Sequence, residues 1–196
     1  MCKMKKAIIF TFLLALSIAT MIFISGCSQG ASIKDNVSGQ LTETAGLTSY
    51  ENKAYGIKIN YPSDWARNEG SMGTVAMFLS PLESSSDTFR ENVNIIVQDL
   101  SAQPMTLKEY TDLSLAQIGE FVTDSNVISS TATVIDGNPA NSIIYTGRQG
   151  QYIFKWMQAW AIKDNKAYVL TYTANEDTYN AFLSMVQEML GSFEII

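Results

Sequence analysis

The stretch "YIFKWMQAWAIK", Tyr152 to Lys163, has a period of two and no polar face. Phe154, Trp156, Trp160 and Ile162 fall on one side of an extended chain, and Ile153, Met157, Ala159 and Ala161 on the other. A strand apolar on both sides has to be covered on both sides, which places it in the interior of a sheet between layers. Working outward, "DN" (164–165) leads to an alternating run from Lys166 to Ala174. On the other side "GRQG" (147–150) and "DGNP" (136–139) separate runs at Ala140 to Thr146 and Val127 to Ile135. Gly, Asn and Asp are the residues that hairpin turns demand, because they tolerate positive φ. Four runs joined so tightly predict an antiparallel meander, since parallel neighbours need crossovers of about a dozen residues or more.

Two helices are available to cover this sheet. Thr106-Leu107-Lys108-Glu109 is a capping box, in which the threonine hydroxyl and the glutamate satisfy free backbone donors at a helix start. Behind it Leu107, Tyr110, Leu113, Ile118, Phe121 and Val122 recur at three- and four-residue spacing, predicting a helix from Leu107 to Val122. Asn175 reads as the cap of a second helix with the stripe Tyr179, Phe182, Met185, Val186, Met189 and Leu190, ended by Gly191. Glu176 and Asp177 then fall in its first turn, where negative charge is stabilising.

Upstream, Tyr55 to Tyr61 alternates and stops at Pro62, and Thr74 to Leu79 and Asn92 to Asp99 read as two more strands. The expected fold class is therefore α+β, a central antiparallel sheet of six or seven strands flanked by helices on both faces. Trp65, just past Pro62, is expected to close the sheet edge.

The N-terminus carries an address. Lys3, Lys5 and Lys6 precede an apolar run from Ala7 to Ile24, which ends in the small residues Ser25 and Gly26. A basic start, an apolar centre and a small-residue exit make a secretory signal. The run is also about as long as a minimal membrane-spanning helix, so an uncleaved anchor is the alternative. Ile24-Ser25-Gly26-Cys27 resembles the bacterial lipobox, which implies removal of residues 1–26 and diacylation of Cys27. Two acyl chains suffice for stable anchoring where one does not.

Residues 27–49 then form the lipidated cysteine and a flexible linker of Ser, Thr, Gly, Ala, Gln and Asn, too poor in large apolar residues to fold alone. One globular domain is expected over 50–196, held on the extracytoplasmic side of a cell membrane. With Cys2 leaving in the signal, neither a disulfide framework nor a free thiol nucleophile remains.

The chain has 13 basic and 19 acidic residues, for a net charge of −6; without Lys3, Lys5 and Lys6 the count is 10 against 19, or −9. An acidic surface repels phosphate backbones and anionic headgroups, so neither nucleic-acid binding nor electrostatic membrane contact beyond the lipid is expected. The chain has no histidine, which removes imidazole-based serine, cysteine and metal-hydrolase sites. No phosphate-binding loop, dinucleotide turn or nucleophile elbow is present either. Carboxylate chemistry is what survives: the loop acids Glu83, Asp87 and Glu91 lack the spacing of a calcium loop, Glu176 and Asp177 are explained by the helix start, and nothing in the sequence points to a catalytic pair. No cofactor, no metal and no enzymatic activity are expected.

The loop "SPLESSSDTFRE", residues 80–91, connects two strands that two to five residues would join. Its Glu83, Asp87, Phe89, Arg90 and Glu91 are the candidate partner contacts, with Phe89 as an apolar anchor in a polar rim. The other reading is that Phe89 folds back onto the core. Two function classes follow: a lipid-anchored docking or assembly module for a membrane-associated protein, or a small-molecule or lipid carrier with a pocket between sheet and helix. A monomer is expected.

Several strings resemble the PsbP family: "YENKAYGIKINYPSDW" (50–65), "NVNIIVQDL" (92–100) followed by "TLKEY" (106–110), "AYVLTYTA" (167–174), and the last helix running into "GSFEII" (191–196). The resemblance covers Tyr50 to Ile196, and none of these strings is catalytic. It implies an antiparallel sheet between helices, as in the Ran-binding Mog proteins, and a role in docking onto or assembling a larger complex. Lipoprotein members of the family agree with the reading of Cys27. Metal-related histidines of some members have no counterpart here, so a metal role does not carry over.

Overall fold

The computed structural model describes residues 46–70 and 73–196. Among these residues ten strands and two helices follow one another: β1 (Leu47–Asn52), β2 (Ile57–Pro62), β3 (Ala66–Glu69), β4 (Ala76–Leu79), β5 (Asn92–Asp99), α1 (Leu107–Phe121), β6 (Thr123–Ile135), β7 (Asn138–Gln149), β8 (Tyr152–Lys163), β9 (Lys166–Asn175), α2 (Tyr179–Gly191) and β10 (Glu194–Ile195). Seven strands make one antiparallel sheet in the order β3-β4-β5-β9-β8-β7-β6, and β1, β2 and β10 make a second, smaller one. The expected single sheet is thus two, because β2 pairs with β1 and β10 and not with β4 or β5. Leu47 to Ser49, expected in the linker, are already paired with β2.

The meander β6 to β9 is as the turns predict. Asp136 (φ 46°) with Gly137 (φ 71°), and Asp164 (φ 51°) with Asn165 (φ 56°), are two-residue connections with both residues in the left-handed region. Such turns match the twist of the strands they join.

β8 lies between β9 and β7, and its two parities serve two cores. Phe154, Trp156 and Trp160 cluster with Ile96, Ile143, Tyr145 and Val169, and with Tyr110 and Ile118 of α1. Met157, Ala159 and Ala161 cluster with Val93, Ile95, Leu170 and Tyr172, with Tyr179, Val186 and Met189 of α2, and with Ile57 and Ile59 of the small sheet. Ile153, expected in this second group, lies near the strand's start and is 45% exposed.

The capping box of α1 forms as read: Thr106 Oγ1 accepts from the Glu109 amide at 3.2 Å, and Glu109 Oε2 accepts from the Thr106 amide at 2.9 Å. The start of α2 differs. Asn175 ends β9, and its carbonyl accepts from the Thr178 amide at 3.2 Å, so Thr178 is the cap and Glu176 and Asp177 precede the helix. Those two acids sit in the turn, too early to meet the first helical turn's free amides.

Gly147, expected in a turn, lies inside β7 opposite Phe154, with the end of α1 pressed onto it. A Cβ there would overlap Val122 Cγ1 and stand 3.3 Å from the Trp156 ring. Gly147→Ala is therefore expected to destabilise the fold by about 1–3 kcal/mol, as overpacking does. Chemical denaturation of the two proteins measures this, and equal midpoints would show that Val122 moves aside freely.

The last residues are tied down by four bonds from three parts of the chain. Lys58 Nζ donates to Glu194 Oε1 at 2.9 Å, the Ile195 amide to Asp136 Oδ2 at 3.1 Å, Lys163 Nζ to the Ile195 carbonyl at 3.2 Å, and the Ile196 amide to the Gly56 carbonyl at 3.0 Å. Gly56 has φ 67°, a conformation that favours glycine, and a Cβ on it would stand 2.8 Å from the Ile196 oxygen.

Candidate docking surface

The loop between β4 and β5 is narrower at its neck than its length suggests. Ser80 donates its amide to the Glu91 carbonyl at 2.8 Å, which continues the β4–β5 ladder past Leu79↔Asn92. What projects is therefore Pro81 to Arg90. Inside it Asp87 works as a clasp, with Oδ1 accepting from the Phe89 amide at 3.0 Å and Oδ2 from the Glu83 amide at 3.1 Å. Asx side chains favour such local bonds to nearby amides, which is why the segment folds on itself. Ser84 and Ser86 hydroxyls lie 3.0 Å apart within the same turn.

Of the five residues read as partner contacts, Asp87 is engaged within the loop and three more are engaged with the rest of the fold. Phe89 turns back, its ring 4.7 Å from Phe154 and 6.4 Å from Tyr152, and joins the α1-side cluster. Arg90 donates Nη2 to the Leu79 carbonyl at 3.0 Å and Nε to that of Ser80, so its charge braces the neck. Glu91 is 1% exposed: Oε1 accepts from Thr178 Oγ1, and Oε2 accepts from Ser80 Oγ at 3.5 Å.

Thr178 caps α2 without a side-chain bond to the helix, so the Glu91 carboxylate supplies negative charge where the helix end is positive. Strand parity carried this signal, because residues 91, 93 and 95 share a face and Val93 and Ile95 are core. Glu83 is exposed and Asp87 partly so; beside them Leu82, not singled out from sequence, is 52% exposed. The loop thus presents an apolar side chain and two acids on a braced frame.

Glu83's carboxyl is held above the usual carboxylate range, first by partial burial and then by Glu91 and Asp87 nearby. A raised folded pKa favours the protonated fold, so this small contribution to stability is full at acid pH and is lost as the pH rises through that value. Burial also pushes Tyr179 up to about 12 and holds Tyr110, Tyr145 and Tyr172 far above the usual phenol range. These phenols stay neutral and serve packing.

One polar strip escaped the sequence reading. Asn92, Asn94, Gln158, Thr171 and Thr173 are all buried and lie on three adjacent strands, with Asn92 opposite Thr173 and Thr171 opposite both Asn94 and Gln158. Gln158 Nε2 donates to Thr171 Oγ1 at 3.0 Å, and Asn92 Nδ2 to the Arg90 carbonyl at 3.2 Å. The Oδ1 atoms of Asn92 and Asn94 have no protein partner.

Among the described residues no group of three or more His, Cys, Asp or Glu has the arrangement of a metal site, and no helix is long and apolar enough to cross a membrane. Cys27 and the run from Ala7 to Ile24 lie outside those residues.

The chain matches the sequence model of a family described as PsbP-like protein over residues 7–195. No curated protein shows a significant match. Among solved structures, cyanobacterial PsbP (CyanoP) of Synechocystis aligns with a TM-score of 0.58 at 16% identity, covering 82% of this chain and 98% of its own. LpqN of Mycobacterium tuberculosis, described as involved in cell envelope biogenesis, aligns at 0.55 and 11%, covering 70% of this chain and 82% of its own. The Ran-binding protein Mog1p of Saccharomyces cerevisiae aligns at 0.53 and 12%, covering 77% and 96%. Identities this low establish a shared fold and nothing finer.

Proposed function

Because the chain belongs to the PsbP-like protein family, we propose that it is a non-enzymatic protein held by lipid at Cys27 on the extracytoplasmic face of a membrane, where it docks onto or assists assembly of a membrane-associated protein complex. In this reading the domain is an α/β/α sandwich, which the two parities of β8 support by clustering with different helices.

The observation that carries the proposal is the braced loop Pro81 to Arg90. Phe89, Arg90 and Glu91 hold its frame, and Leu82 and Glu83 face solvent. A rigid scaffold that presents an exposed apolar side chain next to an acid suits recognition better than chemistry. LpqN's described role in the cell envelope favours an extracytoplasmic setting by analogy.

Removing the whole loop would also remove its anchors, so the test is the full-length double variant Leu82→Lys, Glu83→Lys. Chemical crosslinking in native membranes followed by affinity capture should lose at least one protein recovered with the parent, at an unchanged melting temperature. Recovery of every parent partner would refute the loop as the docking site. The unpartnered amide oxygens of Asn92 and Asn94 favour a second reading, a carrier whose small polar ligand donates to both. Native mass spectrometry of the full chain from its own membranes would show such a ligand as a bound mass.

A further inference from the structure

We propose that this chain self-associates through β6, two copies joining edge to edge so that their β6 strands pair antiparallel about a two-fold axis at Thr131.

Among the described residues β6 is the outermost strand of the large sheet and pairs only with β7. It is 13 residues long, and every residue from Ser130 to Val134 is exposed, so neither face of this stretch is covered. Val134 is 64% exposed, Ile128 52% and Val127 42%. An edge like this presents unpaired amides and carbonyls to any other strand, and proteins ordinarily blunt such edges with lysine, proline, short length or bulges.

The opposite edge of the same sheet is blunted in that way: β3 has four residues, two of them Arg67 and Glu69. β6 has no lysine, arginine or proline, and Asp124 is its only charge. Its register irregularities are confined to its first part, between Thr123 and Ser129, and the ladder from Ser129 to Ile135 is regular.

The occupant is argued from charge and register. The chain carries −6 overall, so two copies repel wherever acidic faces meet. From Ser125 to Ile135 no residue is charged, and contact there sets no carboxylate against another.

The two-residue turn Asp136–Gly137 closes on the pair Ile135↔Asn138, which in such hairpins is hydrogen-bonded. By alternation, Ser130, Ala132 and Val134 turn their amides and carbonyls away from β7. Centring the two-fold on Thr131 pairs Ser130 with Ala132 twice, each a hydrogen-bonded pair, and Ser129 with Thr133. It brings Val134 of each copy to the end of the regular ladder of the other, beside the bulged residue Ile128; these are the two most exposed large apolar residues of the strand. Facing β-branched and hydroxyl pairs of this kind stabilise antiparallel strands.

The test uses the full chain in detergent. Sedimentation equilibrium should give a concentration-dependent dimer for the parent. Val134→Lys sets a lysine at each Ile128 contact and should weaken association by about tenfold or more, without change in melting temperature. Thr131 meets its copy at a non-hydrogen-bonded site, about 4.5 Å between Cα atoms, within the range a disulfide spans. Mild oxidation of Thr131→Cys should therefore yield a peptide crosslinked from position 131 to position 131, found by mass spectrometry. A parent that stays monomeric, a Val134→Lys variant that associates as the parent does, or failure of position 131 to crosslink to itself would each overturn the proposal.

Discussion

Trp65→Ala should cost the domain about 3–5 kcal/mol and lower its melting temperature by roughly 6–20 °C, the ranges for removing a buried tryptophan from a domain of this size. Trp65 is 3% exposed although it sits in a tight turn, its amide donating to the Pro62 carbonyl at 3.0 Å. That turn aims the indole inward, edge-on to Phe182 of α2 with ring centres 6.0 Å apart. The ring thus couples the end of β2 to the helix across the α2-side core, and its loss leaves a cavity between elements that cannot close up separately. Differential scanning calorimetry measures the effect. A fall of a degree or two would mean that the ring contributes little packing and is free to serve a partner.

Cys27→Ser should have the largest effect on where the protein resides. The parent, recovered from membranes, is expected to begin at an acylated cysteine and to lack Met1 to Gly26. The variant should carry no acyl mass and should not be cut before position 27. Two chains make anchoring stable where one gives only reversible binding, so loss of both removes the lipid contribution entirely. Intact-mass measurement with membrane fractionation checks both points. Unchanged mass, processing site and membrane retention in the variant would show an uncleaved helix in place of a lipid.

The elements legible in the sequence are those whose pattern is set by burial on both sides or by local chemistry. β8 announced itself through Trp156, Met157 and Trp160, and α1 through Thr106 and Glu109, because a two-faced core and a capping box each leave a local mark. β1, β3 and β10 left none. Only Tyr50 of β1 is buried, all four residues of β3 are exposed, and β10 is two residues long, so their strand character comes from pairing with distant segments.

The loop shows the same limit. Its length and polarity were visible, but the inward turn of Phe89 depends on Phe154, 65 positions away in sequence, and the burial of Glu91 depends on Thr178. Asn175 misled because a residue suited to a helix cap is equally suited to the end of a strand, where its carbonyl holds the turn.

The way β10 closes the small sheet bears on when the chain acquires its fold. Lys58 and Glu194, which meet across β2 and β10, are 136 residues apart, and Ile57 and Ile59 have no complete cover until α2 and β10 arrive. Contacts of such long range are slow to form, since the intervening segment loses its freedom before they reward it. A polypeptide made N-terminus first therefore keeps the start of its domain open until β10 has been made, and the small sheet locks only then.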